Sequence, residues 1–409
     1  MPDKIISSLN PKQKEAVVCC DGHELVLAGA GSGKTRVLTS KIAYLIGVKK
    51  VAPWRILALT FTNKAAKEMK TRVEKLLGSD LMGMEVSTFH AYGLRFLHRY
   101  SEALMKLGYP KSFVIFDRGD TRNVIKKILT QLDIDPRIMD AGAAIELISR
   151  AKTESNPVTG EPAIQAKWLP LYEKYRQHLL LQGALDFDDL MVLPLRILAT
   201  DKDVRERERS RLDWILVDEY QDVNRPQYLL LRCLVDSGRK IMVVGDPDQS
   251  IYGWRGADMS MIMNFANDFR GAKIVVLDQN YRSTGKILEG ANGVIQKNSD
   301  RHPKDLWTAE PRGESISIYR SRTDKDESEW ISMHIERLKD EGYRYCEMAV
   351  LYRMNALSRG IEQTLLEKGI PYRVIRGLAF YERLEVKDVL SMLRLAVNPR
   401  DSISLARVA

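Results

Sequence analysis

The sequence has no long hydrophobic run and very few cysteines. None of its apolar runs approaches the roughly 20 residues that span a bilayer, and the start of the chain lacks the apolar stretch of a signal peptide. The four cysteines include the adjacent Cys19 and Cys20 but no C-x-x-C pair, which argues against a zinc or disulfide framework. We therefore expect a cytoplasmic protein with reduced thiols and no membrane segment.

Internal repeats and low-complexity segments are absent as well. The composition, with 44% hydrophobic and 29% charged residues, is ordinary for a globular protein and argues against a disordered or fibrous chain. The 409 residues leave room for about two to four domains. The net charge of +9 suits a polyanionic partner, although many basic proteins of this size bind no nucleic acid.

A glycine-rich loop is the most informative feature of the chain. It follows an apolar, strand-like run at 25–27 and precedes a helical pattern at 36–46. Its glycines let successive backbone N–H groups face a triphosphate at the N-terminus of the helix. In such a loop the lysine reaches the β and γ phosphates and the following threonine holds Mg²⁺. The predicted triphosphate-binding residues are Ala28, Gly29, Ala30, Gly31, Ser32, Gly33, Lys34 and Thr35.

Alternating strand and helix patterns continue after the loop. Helical patterns at 64–77 and 91–107 separate short, branched apolar runs that are typical of buried parallel strands. This alternation predicts an α/β fold with a doubly wound parallel sheet. The predicted strands are 55–60, 84–88, 214–217, 241–245 and 274–277.

The strand signal stops between 109 and 185, where helical spacing at 121–132 and 169–181 predicts a mostly helical insertion. A second alternating series follows. It consists of strand-like runs at 315–319, 348–352 and 372–375 and a helical pattern at 386–397, and it predicts the start of a second α/β domain.

A pair of carboxylates, Asp218 and Glu219, follows the predicted strand at 214–217. Alone, such a pair is usually a solvated strand end. Together with Lys34 and Thr35 it predicts hydrolysis, because Asp218 can complete a Mg²⁺ shell and Glu219 can deprotonate a water for attack on the γ phosphate. The guanine-reading Asn-Lys-x-Asp of GTPases is absent, since the nearest match at 63–66 lacks the aspartate.

Three longer motifs are similar to those of a known protein family. They are Asp-Glu-Tyr-Gln-Asp at 218–222, Gly-Asp-Pro-Asp-Gln-Ser-Ile-Tyr-Gly-Trp-Arg-Gly-Ala at 245–257 and Gln-Asn-Tyr-Arg-Ser-Thr at 279–284. From Leu9 onward, the chain resembles the UvrD/Rep/PcrA family of superfamily 1 DNA helicases. The resemblance implies RecA-like domains, ATP and Mg²⁺ as cofactors, single-stranded DNA and duplex junctions as partners, and ATP-driven movement from 3′ to 5′.

The resemblance also implies roles around the nucleotide. Gln13 matches an adenine-reading glutamine, whose amide donates and accepts at once, and Tyr281 matches a residue that stacks on adenine. Arg36 matches a residue near the nucleotide. Gln249 resembles a γ-phosphate sensor, and Arg282 resembles an arginine finger, a group worth roughly 10³–10⁵ in rate.

For DNA, the resemblance implies stacking of unpaired bases on aromatic faces at strand ends. The alternatives remain open: these aromatics are core residues, and the histidine is structural. A further family signature, 186–190, is as consistent with a helix cap in which Phe187 and Leu190 are buried as with a direct role in catalysis. The predicted DNA-contacting residues are Phe61, Asn63, Thr88, His90, Tyr252, Trp254 and Arg255.

The predicted domain division is a first RecA-like domain at 1–108 and 186–278, a helical insertion at 109–185, and part of a second RecA-like domain at 279–409. Two later family motifs, one containing Gln-x-x-Lys-Gly and one supplying a second arginine, do not occur before Ala409. We therefore expect one complete motor domain and part of another. An ATP-driven helicase, a module that binds ATP and DNA with little hydrolysis, and a P-loop switch acting on a partner all remain open.

Overall fold

The computed structural model describes residues 5–78, 81–235, 238–298, 301, 304–375, 384–398 and 402–408. The chain forms two compact units, which we call the first unit (Met1–Glu314 with Ser391–Ala409) and the second unit (Ser315–Leu390). In the described ranges, no helix is both long and apolar enough to cross a membrane.

A six-stranded sheet forms the centre of the first unit, in the order β3-β2-β6-β7-β1-β8, and β4 and β5 form a separate pair. All the pairings are parallel. The prediction of a doubly wound parallel sheet is confirmed, and the carboxyl ends of all six strands lie at one edge. The strands are β1 (Glu24–Ala28), β2 (Ile56–Thr60), β3 (Glu85–Thr88), β4 (Val114–Ile115), β5 (Ala184–Leu185), β6 (Trp214–Val217), β7 (Lys240–Gly245) and β8 (Lys273–Leu277).

The helices are α1 (Pro11–Val18), α2 (Lys34–Gly47), α3 (Asn63–Leu77), α4 (Phe89–Arg99), α5 (Ser101–Lys106), α6 (Arg118–Gln131), α7 (Ala141–Thr153), α8 (Leu169–Gln182), α9 (Asp189–Thr200), α10 (Lys202–Ser210), α11 (Arg225–Leu234), α12 (Ser260–Met263), α13 (Phe265–Asp268), α14 (Gly285–Ile295), α15 (Asp324–Asp340), α16 (Ser358–Glu367), α17 (Leu384–Val397) and α18 (Ser402–Val408).

Helices cover both faces of the sheet. Side chains alternate along β1, so Leu25 and Leu27 join one hydrophobic core while Val26 and Ala28 join the other. The first core also takes in α4, α9 and α11, and the second takes in α1, α2 and α3. Because β1 is buried on both faces, its sequence from Leu25 to Ala28 is a continuous apolar run rather than an alternating one.

One predicted helix is broken in the structure. The pattern at 91–107 forms α4 and α5, separated at Tyr100, whose backbone (φ −111°, ψ 38°) lies outside the helical region. The Tyr100 hydroxyl donates to Glu208 Oε2 at 2.7 Å, and this buried carboxylate also accepts from Tyr92 and Arg99. Glu208 comes from α10, so the residue at the break bonds to an element far along the chain.

Three helices, α6, α7 and α8, and the short strands β4 and β5 occupy the stretch predicted to be a helical insertion. Residues from Val114 to Ala184 build a hydrophobic core of their own around α6, α7 and α8. The α6 helix begins in a capping box, in which Asp117 Oδ1 accepts from the Asp120 N–H at 2.8 Å. The assignment of the chain to motor-domain halves stays a prediction.

A buried ionic cluster joins this insertion to the loop before α9. Lys152 of α7 lies 2.7 Å from both Asp186 Oδ2 and Asp189 Oδ1, and the Tyr175 hydroxyl donates to Asp186 at 2.9 Å. Burial opposes charge on all three groups. Attraction between Lys152 and Asp186 outweighs it for these two, so the pKa of Lys152 is raised and that of Asp186 is lowered, whereas burial and repulsion from Asp186 raise the pKa of Asp189 to about 7. Lys152 and Asp186 are therefore held together as an ion pair, and Asp189 contacts the same lysine.

The second unit differs from the sequence prediction. Its helices α15 and α16 share a small core of Ile361, Leu365 and Ile370. Within residues 304–375, however, the runs at 315–319, 348–352 and 372–375 form no hydrogen-bonded strand, and Ile318 and Leu351 are more than nine-tenths exposed. These strand predictions are wrong here because a strand requires a neighbour that completes its backbone hydrogen bonds, and no ladder joins these runs.

We expect Lys152→Met to lower the free energy of unfolding by about 3–5 kcal/mol, because removing one partner of a buried ion cluster leaves its carboxylates unpaired. Urea unfolding monitored by circular dichroism measures the change.

The matched control is Arg150→Met, which alters an exposed basic residue on the same helix and is expected to change stability by less than about 0.5 kcal/mol. Equal stability of the Lys152→Met and Arg150→Met proteins would contradict a stabilising role of the cluster.

Candidate nucleotide and nucleic-acid sites

The strand order divides the predicted site residues into two groups along one edge of the sheet. The predicted triphosphate-binding loop at 28–35, which we call the phosphate loop, follows β1. The 279–284 motif follows the neighbouring strand β8, so both lie at one side of the edge. Phe61 follows β2, and Thr88 ends β3, at the other side. Between them, β6 delivers Asp218 and Glu219 and β7 delivers the 245–257 motif. Ligands of open α/β sheets bind at such an edge.

The backbone of the phosphate loop requires two of its glycines. Gly31 and Gly33 have φ values of +66° and +88°, a region that other residues rarely adopt. A Cβ on Gly33 would lie 2.9 Å from Gln13 Nε2, and one on Gly31 would lie 2.8 Å from Arg282 Cβ. The loop ends at Lys34, where α2 begins with its free N–H groups.

Asn280 fastens the loop after β8 to the phosphate loop. Its side chain is buried; Nδ2 donates to the Ala30 carbonyl at 2.6 Å, while Oδ1 accepts from the Arg282 and Ser283 N–H groups at 2.8 Å. The Tyr281 N–H adds a bond to the Gly31 carbonyl at 3.0 Å. The sequence analysis did not assign a role to Asn280. The signal for one was its position directly before Tyr281, a residue predicted to bind the nucleotide.

The two residues predicted to bind adenine are linked through Asn10. Gln13 is buried, donates from Nε2 to the Ser32 carbonyl at 2.9 Å and accepts from the Asn10 N–H at 3.2 Å. Its amide retains one N–H and one lone pair for a ligand. Asn10 Nδ2 donates to the Tyr281 hydroxyl at 2.7 Å, and Tyr281 is exposed.

Lys34 and Glu219 form an ion pair across the edge, with 3.1 Å between Lys34 Nζ and Glu219 Oε2. Gln221 Nε2 also donates to Glu219 Oε2, at 2.9 Å. Glu219 has a left-handed backbone with φ +51°, which costs a non-glycine residue roughly 1–2 kcal/mol. This strained turn brings the carboxylate to the phosphate-loop lysine.

Two further carboxylates, Asp218 and Asp222, flank Glu219. Burial, followed by repulsion from Glu219, raises the pKa of each to about 6. In the described structure, Asp222 Oδ1 is buried without a hydrogen-bond partner. The oxygen donors of Asp218 and Thr35 suit Mg²⁺, which takes one or two protein oxygens together with phosphates and waters. The residues present therefore fit the metal.

The other predicted nucleotide residues are engaged differently. Gln249 lies in a turn of 3₁₀-helix (Pro247–Gln249), where its Nε2 donates to Asp246 Oδ2. Arg36 Nη2 donates to the Ser8 carbonyl at 2.7 Å on the surface. Arg282 is exposed, and its backbone is fixed over the phosphate loop by Asn280.

Three of the predicted DNA-contacting aromatics form one surface cluster, which we call the aromatic platform: Phe61, Tyr252 and Trp254. Phe61 and Tyr252 stack with 4.8 Å between ring centroids, and Tyr252 and Trp254 lie 6.3 Å apart. Trp254 is 67% exposed and the other two rings are half-buried, so none of the three is a core residue.

The remaining predicted DNA residues are spread along the edge. Asn63 is exposed at the start of α3. Thr88 caps α4 by accepting from the Ala91 N–H at 3.3 Å, a structural task that sequence reasoning did not foresee. Burial lowers the pKa of His90, which disfavours its charged form. The side chain of Arg255 lies outside the described residues.

The exposure of Phe187 contradicts the helix-cap interpretation of residues 186–190. In the helix-cap interpretation Phe187 and Leu190 are both buried, but Phe187 is 53% exposed whereas Leu190 is buried. The carboxylates of Asp186 and Asp189 each accept from the other's N–H, at 3.0 and 3.1 Å, and hold the turn with Phe187 outside. The Phe187 ring meets His90 edge-on, with 5.9 Å between centroids. The sequence signal for an exposed Phe187 was its position among acidic residues directly after a strand.

Comparison with known proteins matches two adjoining family models. Residues 9–270 match the UvrD/REP helicase N-terminal domain, and residues 275–409 match the UvrD-like helicase C-terminal domain. The chain is 44% identical over 412 residues to the ATP-dependent DNA helicase PcrA of Bacillus subtilis (strain 168), covering 99% of this chain and 55% of that protein.

Proteins of the same name from Staphylococcus epidermidis (strain ATCC 35984) and Staphylococcus aureus (strain Mu50) are 43% and 42% identical, each across 99% of this chain and 56% of theirs. The chain thus spans about half the length of the curated relatives it matches. The family models together account for nearly every residue from Leu9 onward, and the chain belongs to the UvrD/Rep helicase family.

Proposed function

We propose that the chain provides the ATP site and single-stranded DNA contacts of an ATP-dependent DNA helicase that moves from 3′ to 5′ along one strand. The observation that carries the proposal is the placement of a phosphate loop and an exposed aromatic platform on strands of one sheet edge. The name of the relatives, ATP-dependent DNA helicase PcrA, supports the same activity. A cytoplasmic location and a preference for duplex junctions belong to the proposal.

On the nucleotide side, the ion pair between Lys34 and Glu219 suggests that Lys34 exchanges one anionic partner for another when ATP binds. An incoming γ phosphate would attract Lys34 and release Glu219, which then orients a water and takes its proton. Arg282 would stabilise the charge on the transferred phosphoryl group. Gln13 and Tyr281 would hold adenine.

Thr35 and Asp218 would hold Mg²⁺, which when bound neutralises phosphate charge.

On the DNA side, the aromatic platform offers ring faces to unstacked bases, which every base can use regardless of sequence. Thr88, His90, Asn63 and Arg255 would extend this contact along the strand. Phe187, exposed and touching His90, adds a further ring to the same side of the edge. A movement of Gln249 on nucleotide binding would then shift the aromatic platform, because Gln249 lies only three residues before Tyr252.

We expect Lys34→Ala and Glu219→Gln each to lower the rate of ATP hydrolysis, measured with oligo(dT) present, by at least about 100-fold. Lys34→Ala also weakens nucleotide binding because the phosphates lose their cation. Glu219→Gln retains binding, since an amide of the same shape replaces the carboxylate.

Binding of a fluorescent ATP analogue separates the two effects and shows that the variants are folded. Hydrolysis at the unaltered rate in both variants would contradict the assignment of the catalytic residues.

We expect Trp254→Ala to weaken binding of oligo(dT) by about 1–3 kcal/mol, or roughly 5- to 150-fold in Kd, because a stacked base loses its ring. Fluorescence anisotropy of labelled oligo(dT) measures the change.

Trp54→Ala is the matched control: Trp54 is 61% exposed but lies two residues before β2, at the opposite end of that strand from Phe61. Its removal should leave the affinity within about twofold. Equal losses in the two variants would refute the proposed platform.

A further inference from the structure

A second buried ionic cluster lies beside the predicted phosphate sensor. Lys304 Nζ contacts Asp246 Oδ1 and lies 3.0 Å from Asp248 Oδ2, while Arg301 Nη2 lies 3.1 Å from the same Asp248 oxygen. The side chains of Lys304 and Asp246 are 3% and 2% exposed. Two cations and two anions balance, so the cluster holds its charges away from water without a net charge.

Asp246 is the centre of this cluster. Its Oδ1 accepts from Lys304 and from the Asp248 N–H at 3.1 Å, and its Oδ2 accepts from Gln249 Nε2. The Gln249 side chain is therefore held by a carboxylate whose charge Lys304 balances. Without Lys304, Asp246 would be a buried anion that must move or become protonated, and Gln249 would lose its fixed acceptor.

A continuous path joins Asp246 to the phosphate loop. The Asp246 N–H donates to Gln221 Oε1 at 2.9 Å, Gln221 Nε2 donates to Glu219 Oε2 at 2.9 Å, and Glu219 pairs with Lys34 at 3.1 Å. A change at Lys34 thus reaches Asp246 through two side chains in direct hydrogen-bond contact.

The same turn leads to the aromatic platform. Ser250 Oγ donates to the Gln221 carbonyl at 3.3 Å, and Tyr252 and Trp254 follow within four residues. The hydrogen-bonded path from the phosphate loop therefore ends at the backbone that carries the platform.

We infer that Lys304 is a positioning residue that couples the two sites: by holding Asp246 it fixes Gln249 and the platform turn, so that nucleotide and single-stranded DNA affect each other's binding. The inference rests on the proposed function, because it requires that the chain bind both ligands. Lys304 itself touches neither ligand and acts through Asp246.

The test measures the Kd of labelled oligo(dT) with and without a saturating non-hydrolysable ATP analogue and Mg²⁺. The ratio of the two Kd values is the coupling, which needs no hydrolysis. We expect a ratio of at least about fivefold for the unaltered chain and less than about twofold for Lys304→Met, with the Kd of each ligand alone changed by less than about threefold.

Three variants test the path. Lys304→Arg keeps the charge and should retain most of the coupling. Gln221→Leu breaks the path between Glu219 and Asp246 without unpairing a buried ion, and it should lose the coupling as Lys304→Met does. Combining Gln249→Ala with Lys304→Met should reduce the coupling no further than either change alone, as expected for residues of one network.

Lys41→Met is the matched control, because Lys41 forms a buried pair with Glu24 at 2.9 Å and lies outside this path. Coupling retained in Lys304→Met, or lost equally in Lys41→Met, would overturn the inference. An unaltered chain that binds oligo(dT) without any effect of the analogue would also overturn it. An unaltered chain that binds neither ligand would instead refute the proposed function.

Discussion

The parallel pairing of all six strands is the constraint on which the rest of the first unit depends. Parallel strands bring every carboxyl end to one edge, and the loops there carry the predicted site residues. The strand order then assigns positions along the edge: β8 and β1 bring the predicted nucleotide motifs together, and β2 and β3 carry the predicted DNA residues Phe61 and Thr88. Between them lie β6 and β7, and β7 leads to Tyr252 and Trp254. Residues as distant in sequence as Lys34 and Glu219 become neighbours for this reason.

Much of this arrangement could be predicted from the sequence, because its signals are local. The bounds of β6 and the end of α3 at Leu77 follow from an apolar run and a helical pattern. The proximity of Glu219 to Lys34 of the phosphate loop follows from the rule that ligands bind at one edge. Where a residue bonds to a distant partner, prediction failed: the predicted helix is broken at Tyr100, whose hydroxyl donates to Glu208, and Asn280 joins two loops that are 250 residues apart.

The acidic turn before α9, at 186–190, shows the same limit of prediction from sequence. The sequence is consistent with a capped helix start, and Asp186 and Asp189 do accept from each other's N–H, but the spacing does not say which side chains face inward. Lys152 decides this, because it draws Asp186 and Asp189 into the interior and leaves Phe187 outside. Asp246 and Lys304 repeat the principle at the phosphate sensor. In both places a buried lysine from elsewhere in the chain orients an acidic loop.

The left-handed backbone of Glu219 has a consequence for anyone who redesigns this protein. Glycine would relieve the local strain there, so a selection for thermal stability alone would favour losing this carboxylate. The substitution would improve the fold while removing the proposed proton acceptor. Position 219 is thus a place where robustness and turnover are opposed, and a thermostable variant altered there should be examined first for lost activity.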